Sequence, residues 1–453
     1  MKEKKNNSQL VKNMRLEVVI QSLAEKGDGV ARYHDMTIYI PRAIPQETCS
    51  ILITKVHKEY SYAKLLEFKN KSDQRETPLC PIFNQCGGCQ LQHLNKSAES
   101  QFKTELLEAQ FQKSDKQLIR PVIQAEDDYY YRNKAQFAIQ KQGDHIVMGL
   151  YARHSHRVID LDQCAIQSKG INKGIQQVRD YLNKTNLTVY DEESHTGQLR
   201  HVVIREGRGS KELMVALVLK EAPFYEKEEW IDALKENPNI KSIMVNYNPD
   251  KTDRVLGRVS ECIWGDAEIK ETILGHSMLY SLDAFVQLNP KQMEILYQTL
   301  IQLAQFNKTD TVWDLYSGIG SIAISISTHV KYVIAIEEVA SATDNAKRNA
   351  TLNKLENIKV YQGKVEEKIR DIKEDPDCVI IDPPRKGCEE SVLKELIKRG
   401  PERIIYVSCN PKSLKKDCDR LSVSYDIQVI QPVDMFPQTN HLETITYLSK
   451  RRQ

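Results

Sequence analysis

From about Ser281 onward the chain alternates short apolar, β-branched runs with helical stretches, a pattern that suits a parallel sheet covered by helices on both faces. Residues 311–315, 332–336, 378–381 and 404–407 read as its strands, with 445–448 as the last. Upstream the pattern differs. Leu16, Val18 and Ile20 alternate with polar neighbours, as do Ile38 with Ile40 and Ile51 with Ile53. The turns Lys26-Gly27-Asp28-Gly29 and Ile44-Pro45 punctuate them. About five strands in so short a span suit a small β-barrel of the oligonucleotide-binding type. Residues 69–78 are polar and turn-rich, as a linker would be, and 97–112 has helical character. Strand-like runs at 135–139 and 213–218 belong to a central α+β segment. A chain of 453 residues exceeds one hydrophobic core. Three domains are expected: 11–68, 75–280 and 281–453, with the segment near 97–127 able to pack against the last.

Lys and Arg number 64 against 62 Asp and Glu, so any surface for an acidic partner must arise from local asymmetry rather than bulk charge. Four lysines fall within the first thirteen residues, which carry no apolar run. That reads as a frayed basic tail and not as a signal peptide. No apolar stretch approaches the roughly 20 residues needed to span a bilayer. Ten cysteines in such a chain point to metal binding or catalysis in a cytoplasmic protein, expected as a monomer, rather than to disulfides.

The segment Val312-Trp313-Asp314-Leu315-Tyr316-Ser317-Gly318-Ile319-Gly320 ends a strand, turns on glycines and opens the helical run 321–327. Glycine lets the backbone approach a ligand there. Nineteen residues after Gly318, at the end of the next strand, Glu337 is placed to hold ribose hydroxyls. A dinucleotide loop would place its third glycine where Ala323 stands. The Asp-x-x-x-Gly-x-Gly form instead favours S-adenosylmethionine over a nicotinamide.

Two further strands end in Asp382-Pro383-Pro384-Arg385 and Ser408-Cys409-Asn410-Pro411. Strand ends of this kind face the ligand in doubly wound sheets. Asp-Pro-Pro also occurs in amino-group methyltransferases, but those have no use for Cys409. A lone cysteine is more often packing than chemistry. Uracil supplies the reason for a nucleophile, because its carbon 5 cannot attack a methyl sulfonium unaided. Thiolate addition at carbon 6 makes carbon 5 nucleophilic, and a base must then remove the carbon-5 proton to release the cysteine. Glu443, in His441-Leu442-Glu443, is the candidate base; the bland alternative is a surface acid before the last strand.

Together Asp314-Leu-Tyr-Ser-Gly-Ile-Gly320, Asp382-Pro-Pro-Arg-Lys-Gly387, Ser408-Cys-Asn-Pro411 and Met435-Phe-Pro-Gln-Thr-Asn-His-Leu-Glu-Thr444 resemble the RNA uracil-5 methyltransferase family over almost the whole chain. The resemblance implies a C-terminal Rossmann-like class I methyltransferase domain, with Cys409 as nucleophile and Glu443 as base. It implies cofactor contacts at Gln287, Tyr316, Glu337 and Asp382, the last also holding the uracil edge. Ser317 and Gln438 depart from the residues usual at their positions. The N-terminal barrel is implied to be a TRAM domain, an RNA-binding module.

Cys80, Cys86 and Cys89, with glycines 87 and 88 inside the last pair, form a soft-metal pattern, and Cys164 is the best fourth ligand. Four thiolates suit zinc or an iron–sulfur cluster. Resemblance to ribosomal-RNA members of the family implies [4Fe-4S]. The five-residue gap after Cys80 argues against a radical enzyme. Cys49, Cys262, Cys378, Cys388 and Cys418 read as packing residues. Barrel plus cluster implies 23S ribosomal RNA as substrate ahead of transfer RNA. An amino-group methylase and a non-catalytic RNA-binding protein follow, disfavoured by Cys409 with Glu443.

Tyr129-Tyr130-Tyr131-Arg132-Asn133-Lys134 interleaves aromatics with cations, as base stacking and phosphate contact require. On composition a half-buried strand edge is equally good. A Tyr-Arg-x-Lys element in the family tips the reading to RNA contacts at Tyr131, Arg132 and Lys134. Arg153, His154, His156 and Arg157 form a second, weaker basic stretch.

Overall fold

Period-two burial shapes the N-terminal segment. In the computed structural model, which describes residues 10–452, six strands form one sheet: β1 (Arg15–Val19), β2 (Ser22–Leu23), β3 (Gly29–Tyr33), β4 (Met36–Ile40), β5 (Thr48–Val56) and β6 (Tyr60–Asn70). The expected basic tail falls largely in residues 1–9, outside the described residues. The sheet order is β1-β5-β6-β4-β3-β2, antiparallel except for β4 beside β6. Val18, Ile20, Ile38, Ile40, Ile51 and Ile53 are all buried together, as the alternation predicts. Gly29 is obligatory, since a Cβ there would lie 2.6 Å from the Ala43 carbonyl oxygen. The stretch 69–78 is less free than a linker. Arg75 donates to the fully buried Glu47 carboxylate, Nη2 at 2.8 Å, and to the Arg42 carbonyl.

These strands with the stretch that follows them to Asn84, residues 88–106 and the short piece 438–440 make up one compact unit. Within it Gln438 N–H donates to Glu99, and the Gln438 carbonyl accepts from Gln90 and Leu91. Helix α1 (Lys96–Glu108) supplies the Glu99–Lys103 pair, 2.6 Å apart.

The second unit holds 85–87, 107–437 and the C-terminal stretch from His441. A central seven-stranded sheet comprises β7 (Lys134–Gln142), β8 (His145–Tyr151), β9 (Val158–Asp160), β10 (Leu199–Glu206), β11 (Leu213–Leu219), β12 (Ile240–Tyr247) and β13 (Val259–Gly265). Its order is β13-β12-β11-β10-β7-β8-β9. Helix α2 (Lys169–Leu182), capped by Ser168, buries Ile171, Ile175, Val178 and Leu182, one face at helical spacing. Helix α3 (Lys227–Leu234) and the hairpin β14 (Ile269–Ile273) with β15 (His276–Tyr280) complete it.

The C-terminal part is the expected doubly wound sheet: β16 (Thr311–Leu315), β17 (Tyr332–Glu337), β18 (Ile358–Gln362), β19 (Cys378–Ile381), β20 (Arg403–Ser408), β21 (Tyr425–Val433) and β22 (Glu443–Lys450). Helices α4 (Pro290–Ala304), α5 (Ser321–Ser327), α6 (Ala340–Leu352), α7 (Val365–Asp371), α8 (Glu390–Arg399) and α9 (Pro411–Leu421) accompany it. The order is β18-β17-β16-β19-β20-β22-β21, parallel except for β22, which runs antiparallel to its neighbours. The order reverses at β16 beside β19, the switch point where a ligand crevice opens. The expected boundary near 280 marks a change of pattern, not a division between compact bodies. Val203, Met214, Val218 and Met244 share one core with Val312, Ile324 and Val333. Among the described residues no helix is long and apolar enough to cross a membrane.

Candidate active site

Three neighbouring parallel strands deliver their C-terminal residues to one edge. Leu315 pairs with Ile381 and Ile381 with Tyr406, so Tyr316 and Asp382 emerge side by side, level with Val407, and Cys409 follows two residues further along. Strand β22 runs the other way and starts at that edge. Ser408 pairs with Thr444 at the end of the ladder, and Cys409 and Glu443 are the adjoining residues, near enough for the Glu443 charge to act on the thiol. Thus the candidate nucleophile and base, 34 positions apart in sequence, are brought together by sheet topology.

The loops carrying them are tied to each other. Asn410 caps α9, accepting from Lys412 N–H, and its amide donates to the Arg385 carbonyl at 2.9 Å. The Cys409 and Asp-Pro-Pro-Arg loops are thereby fixed together. Asn289, N-cap of α4, donates to the Met435 carbonyl, so the loop bearing Gln287 is joined to the segment leading to Glu443. Gln287 itself is buried.

The electrostatics of this edge are acidic. Burial pushes Asp382 up to about 7. Burial, reinforced by the Asp382 charge, holds the Glu443 carboxyl well above the usual range, with Arg385 opposing. The Cys409 thiol is pushed up to about 11 by burial, then by Glu443 and Asp382, again opposed by Arg385. A nucleophilic cysteine is expected to favour its ionised form, and here its own surroundings do the reverse. Two acids facing a half-buried sulfur outweigh one guanidinium. Arg385, to which the sequence alone assigns no chemical role, supplies the positive charge at this edge.

The glycine loop shows room for a ligand. Tyr316, Gly318 and Gly320 adopt left-handed backbone at φ 64, 54 and 79°. A Cβ on Gly318 would meet nothing within 4 Å, so open space lies over the loop. Glu337 braces it, accepting from Gly318 N–H at 2.9 Å and Val339 N–H at 2.8 Å. Asp314 is fully buried, accepts from Ala323 N–H with one oxygen and leaves the other unpaired. Its carboxyl is pushed up to about 8 by burial, then by Asp382 and Glu337. These features fit a cationic, ribose-bearing cofactor: acids at two strand ends and free backbone reach between them. Tyr316 is engaged below the loop with the buried Cys388 thiol, which Tyr406 also approaches. Cys388 thus packs within a polar network that ends on Asp417, 2.7 Å from the Tyr406 hydroxyl.

The expected RNA contacts need correction. Tyr131 is 2% exposed and its hydroxyl donates to the Pro437 carbonyl at 2.8 Å, so the ring offers no face to a base. Arg132 lies over the Phe436 ring, 5.7 Å from its centroid. Lys134 sits behind the buried Arg205 guanidinium, and burial with that charge lowers it to about 7. The run is one strand entry with alternating burial, and its exposed member is Tyr130.

Of the four expected cluster ligands, Cys80 and Cys89 belong to the first unit, Cys86 and Cys164 to the second. Cys86 and Cys164 are buried. Cys80 sulfur accepts from the backbone N–H groups of Ile82 and Phe83, donors of the kind that tune a metal-bound thiolate. Among the described residues no three His, Cys, Asp or Glu side chains stand grouped as a metal site.

A family described as tRNA (Uracil-5-)-methyltransferase matches residues 95–451. An uncharacterized RNA methyltransferase of Halalkalibacterium halodurans is 36% identical, spanning 98% of this chain and 99% of its own. Another, from Oceanobacillus iheyensis, is 36% identical over 97% of each chain. The crystal structure of Pyrococcus abyssi tRNA (uracil-54, C5)-methyltransferase in complex with S-adenosyl-L-homocysteine matches at a TM-score of 0.77 and 25% identity. That match covers 96% of this chain and 100% of the other.

Proposed function

The chain belongs to the tRNA (uracil-5-)-methyltransferase family, and on that premise we propose that it forms 5-methyluridine in 23S ribosomal RNA through a covalent adduct on Cys409. The observation that supports the mechanism is the pairing of Ser408 with Thr444, whose neighbours are Cys409 and Glu443, with the Asp382 charge acting on both. Gln287, Tyr316, Glu337 and Asp382 would hold S-adenosylmethionine, which supplies an electrophilic methyl group on a positively charged sulfur. Cys409, its proton given up to solvent, adds through sulfur to carbon 6 of the ring, and the electron pair gained at carbon 5 takes the methyl group, whose bond to the donor sulfur breaks with its electrons left on that sulfur. Glu443 then accepts the carbon-5 proton, and the carbon–sulfur bond breaks as the ring double bond re-forms. A carboxyl whose proton affinity burial has raised suits that step, because it holds the proton it removes. Arg385 opposes the two acids and lowers the cost of the thiolate.

Cys80, Cys86, Cys89 and Cys164 would hold a [4Fe-4S] cluster; the soft donor set and the backbone N–H groups at Cys80 support it. Its role in this reading is structural. The N-terminal six-stranded sheet is read as a TRAM-type RNA-binding module.

Ribosomal RNA is proposed from the combination of that sheet with the cysteine pattern. Transfer RNA is the second reading, favoured by the Pyrococcus abyssi enzyme, whose likeness extends over 96% of this chain. Mass mapping of ribosomal and transfer RNA from a strain lacking the gene distinguishes them. Loss of 5-methyluridine from 23S ribosomal RNA is expected; its loss from transfer RNA alone would reverse the order.

A further inference from the structure

The second unit contains a polar cavity of about 600 Å³, lined by Tyr130 with Lys169, Lys173 and Lys211. Its wall carries five Lys or Arg side chains against two carboxylates, Asp127 and Glu206, a surplus of three positive charges. Asp127 is committed to two of the cations, 2.7 Å from Lys291 and 3.4 Å from Arg208. Lys169, Lys173 and Lys211 are exposed and make no ion pair among the described residues. Lys169 and Lys173 stand four residues apart at the start of α2, on one helix face.

Tyr130 is the exposed aromatic of this cavity, 41% accessible, with the Lys169 ammonium 5.8 Å from its ring centroid. Both Tyr130 and Lys211 occupy left-handed backbone, at φ 56 and 63°. Neither is a residue that adopts it readily, and each is held there by a backbone hydrogen bond, to Ala165 and Gly207. The cavity also adjoins the loop expected to hold the cofactor: Asn133 N–H donates to the Leu288 carbonyl, and Lys291 follows Gln287 by four positions.

An exposed ring beside unpaired cations on a wall poor in acids matches a nucleotide, a base face flanked by phosphates. We propose that this cavity anchors a single-stranded segment of the substrate RNA, one base stacking on Tyr130 and neighbouring phosphates meeting Lys169, Lys173 and Lys211. The inference rests on the RNA-methylating reading and assigns a binding site apart from the reacting residues.

The test is fluorescence anisotropy of the full chain with a fluorescein-labelled oligouridylate about ten nucleotides long, across a salt series. Replacing all three lysines by alanine should reduce the slope of log affinity against log salt by about 2, at roughly 0.7 per phosphate contact. Tyr130→Ala should weaken binding about 5- to 150-fold with the slope unchanged, and Tyr130→Trp should restore it. S-adenosylmethionine affinity by calorimetry should match wild type in each variant, which reports an intact fold. If the triple variant fails that control, the Tyr130 pair decides alone. Wild-type affinity and slope in the variants would overturn the anchor while methylation of bulk RNA by the wild-type chain kept the enzyme reading intact. A wild-type chain that methylates RNA without binding the oligouridylate overturns the anchor too. One that neither binds nor methylates RNA overturns both.

Discussion

Replacing Glu443 by glutamine acts on two steps in opposite directions, and the site's electrostatics set the size of the first. With Cys409 held up at about 11, its thiolate fraction at pH 7.5 is about 3 × 10⁻⁴. An ordinary thiol near 8.5 would be about a tenth ionised, so Cys409 offers roughly 300-fold less thiolate than a model thiol and should be alkylated more slowly. Of the two carboxylates acting against the thiolate, Glu443 contributes more than Asp382. Each unit by which Glu443→Gln lowers the thiol raises the thiolate fraction about tenfold at fixed pH. The assay is iodoacetamide modification of the chain without RNA, read at Cys409 by peptide mass spectrometry between pH 7 and 9.5. The wild-type rate should still be climbing at the upper end, and the variant should be faster toward that end, where Glu443 carries the charge that burial suppresses at lower pH. With RNA and S-adenosylmethionine present, the same variant should stall after methyl transfer and accumulate a methylated RNA–protein adduct on denaturing gels. A wild-type plateau near pH 8.5, or a variant rate equal to wild type, would refute the electrostatic reasoning. Wild-type turnover by Glu443→Gln would assign the base to another residue, with Asp382 next, and 5-methyluridine formed by Cys409→Ala would end the covalent mechanism.

Glu337→Ala should weaken S-adenosylmethionine binding about 10- to 150-fold by calorimetry, and Glu337→Gln less, since the amide oxygen can still accept from Gly318. Anaerobically purified protein should contain iron near four atoms per chain, the cubane count, with Cys164→Ser losing it; zinc without iron would remove the cluster. Arg75→Ala strands the buried Glu47 carboxylate and should cost about 3–5 kcal/mol, seen as a lower melting temperature. Asp314→Asn should gain stability relative to wild type as pH rises from about 4 to 8. Folded Asp314 keeps its proton to about 8 whereas the unfolded chain releases it near 3.8, so wild type loses stability across that window and the neutral amide does not. A difference in unfolding free energy that stays constant between pH 5 and 8 would contradict it.

What was legible in the sequence was local. The period-two runs at Ile38 with Ile40 and Ile51 with Ile53 became buried faces of one sheet, because alternation alone decides which side of a strand meets the core. The Asp-Pro-Pro-Arg and Ser-Cys-Asn-Pro motifs were readable as strand ends because short apolar runs precede them. Non-local packing was not legible. Val203 and Val312 sharing one core erases a boundary that the change of pattern suggested. Tyr130 and Tyr131 look alike in sequence, yet a backbone bond to Ala165 and a side-chain bond to Pro437 send one outward and the other in.

The thiol is the instructive case. Its neighbours in the chain, Ser408 and Asn410, say nothing about its ionisation, and its place just before α9 argues for a thiolate. What overrides them arrives through space, from Asp382 at 27 positions' remove and Glu443 at 34. Counting Asp314 and Glu337 at the adjacent loop, four acids converge on an edge to which Arg385 brings the opposing charge. Such an edge is poorly suited to holding a thiolate by itself and well suited to receiving a cation. The acids that disfavour the nucleophile are thus the ones a sulfonium cofactor would balance, and thiol activation and cofactor binding become one electrostatic event rather than two.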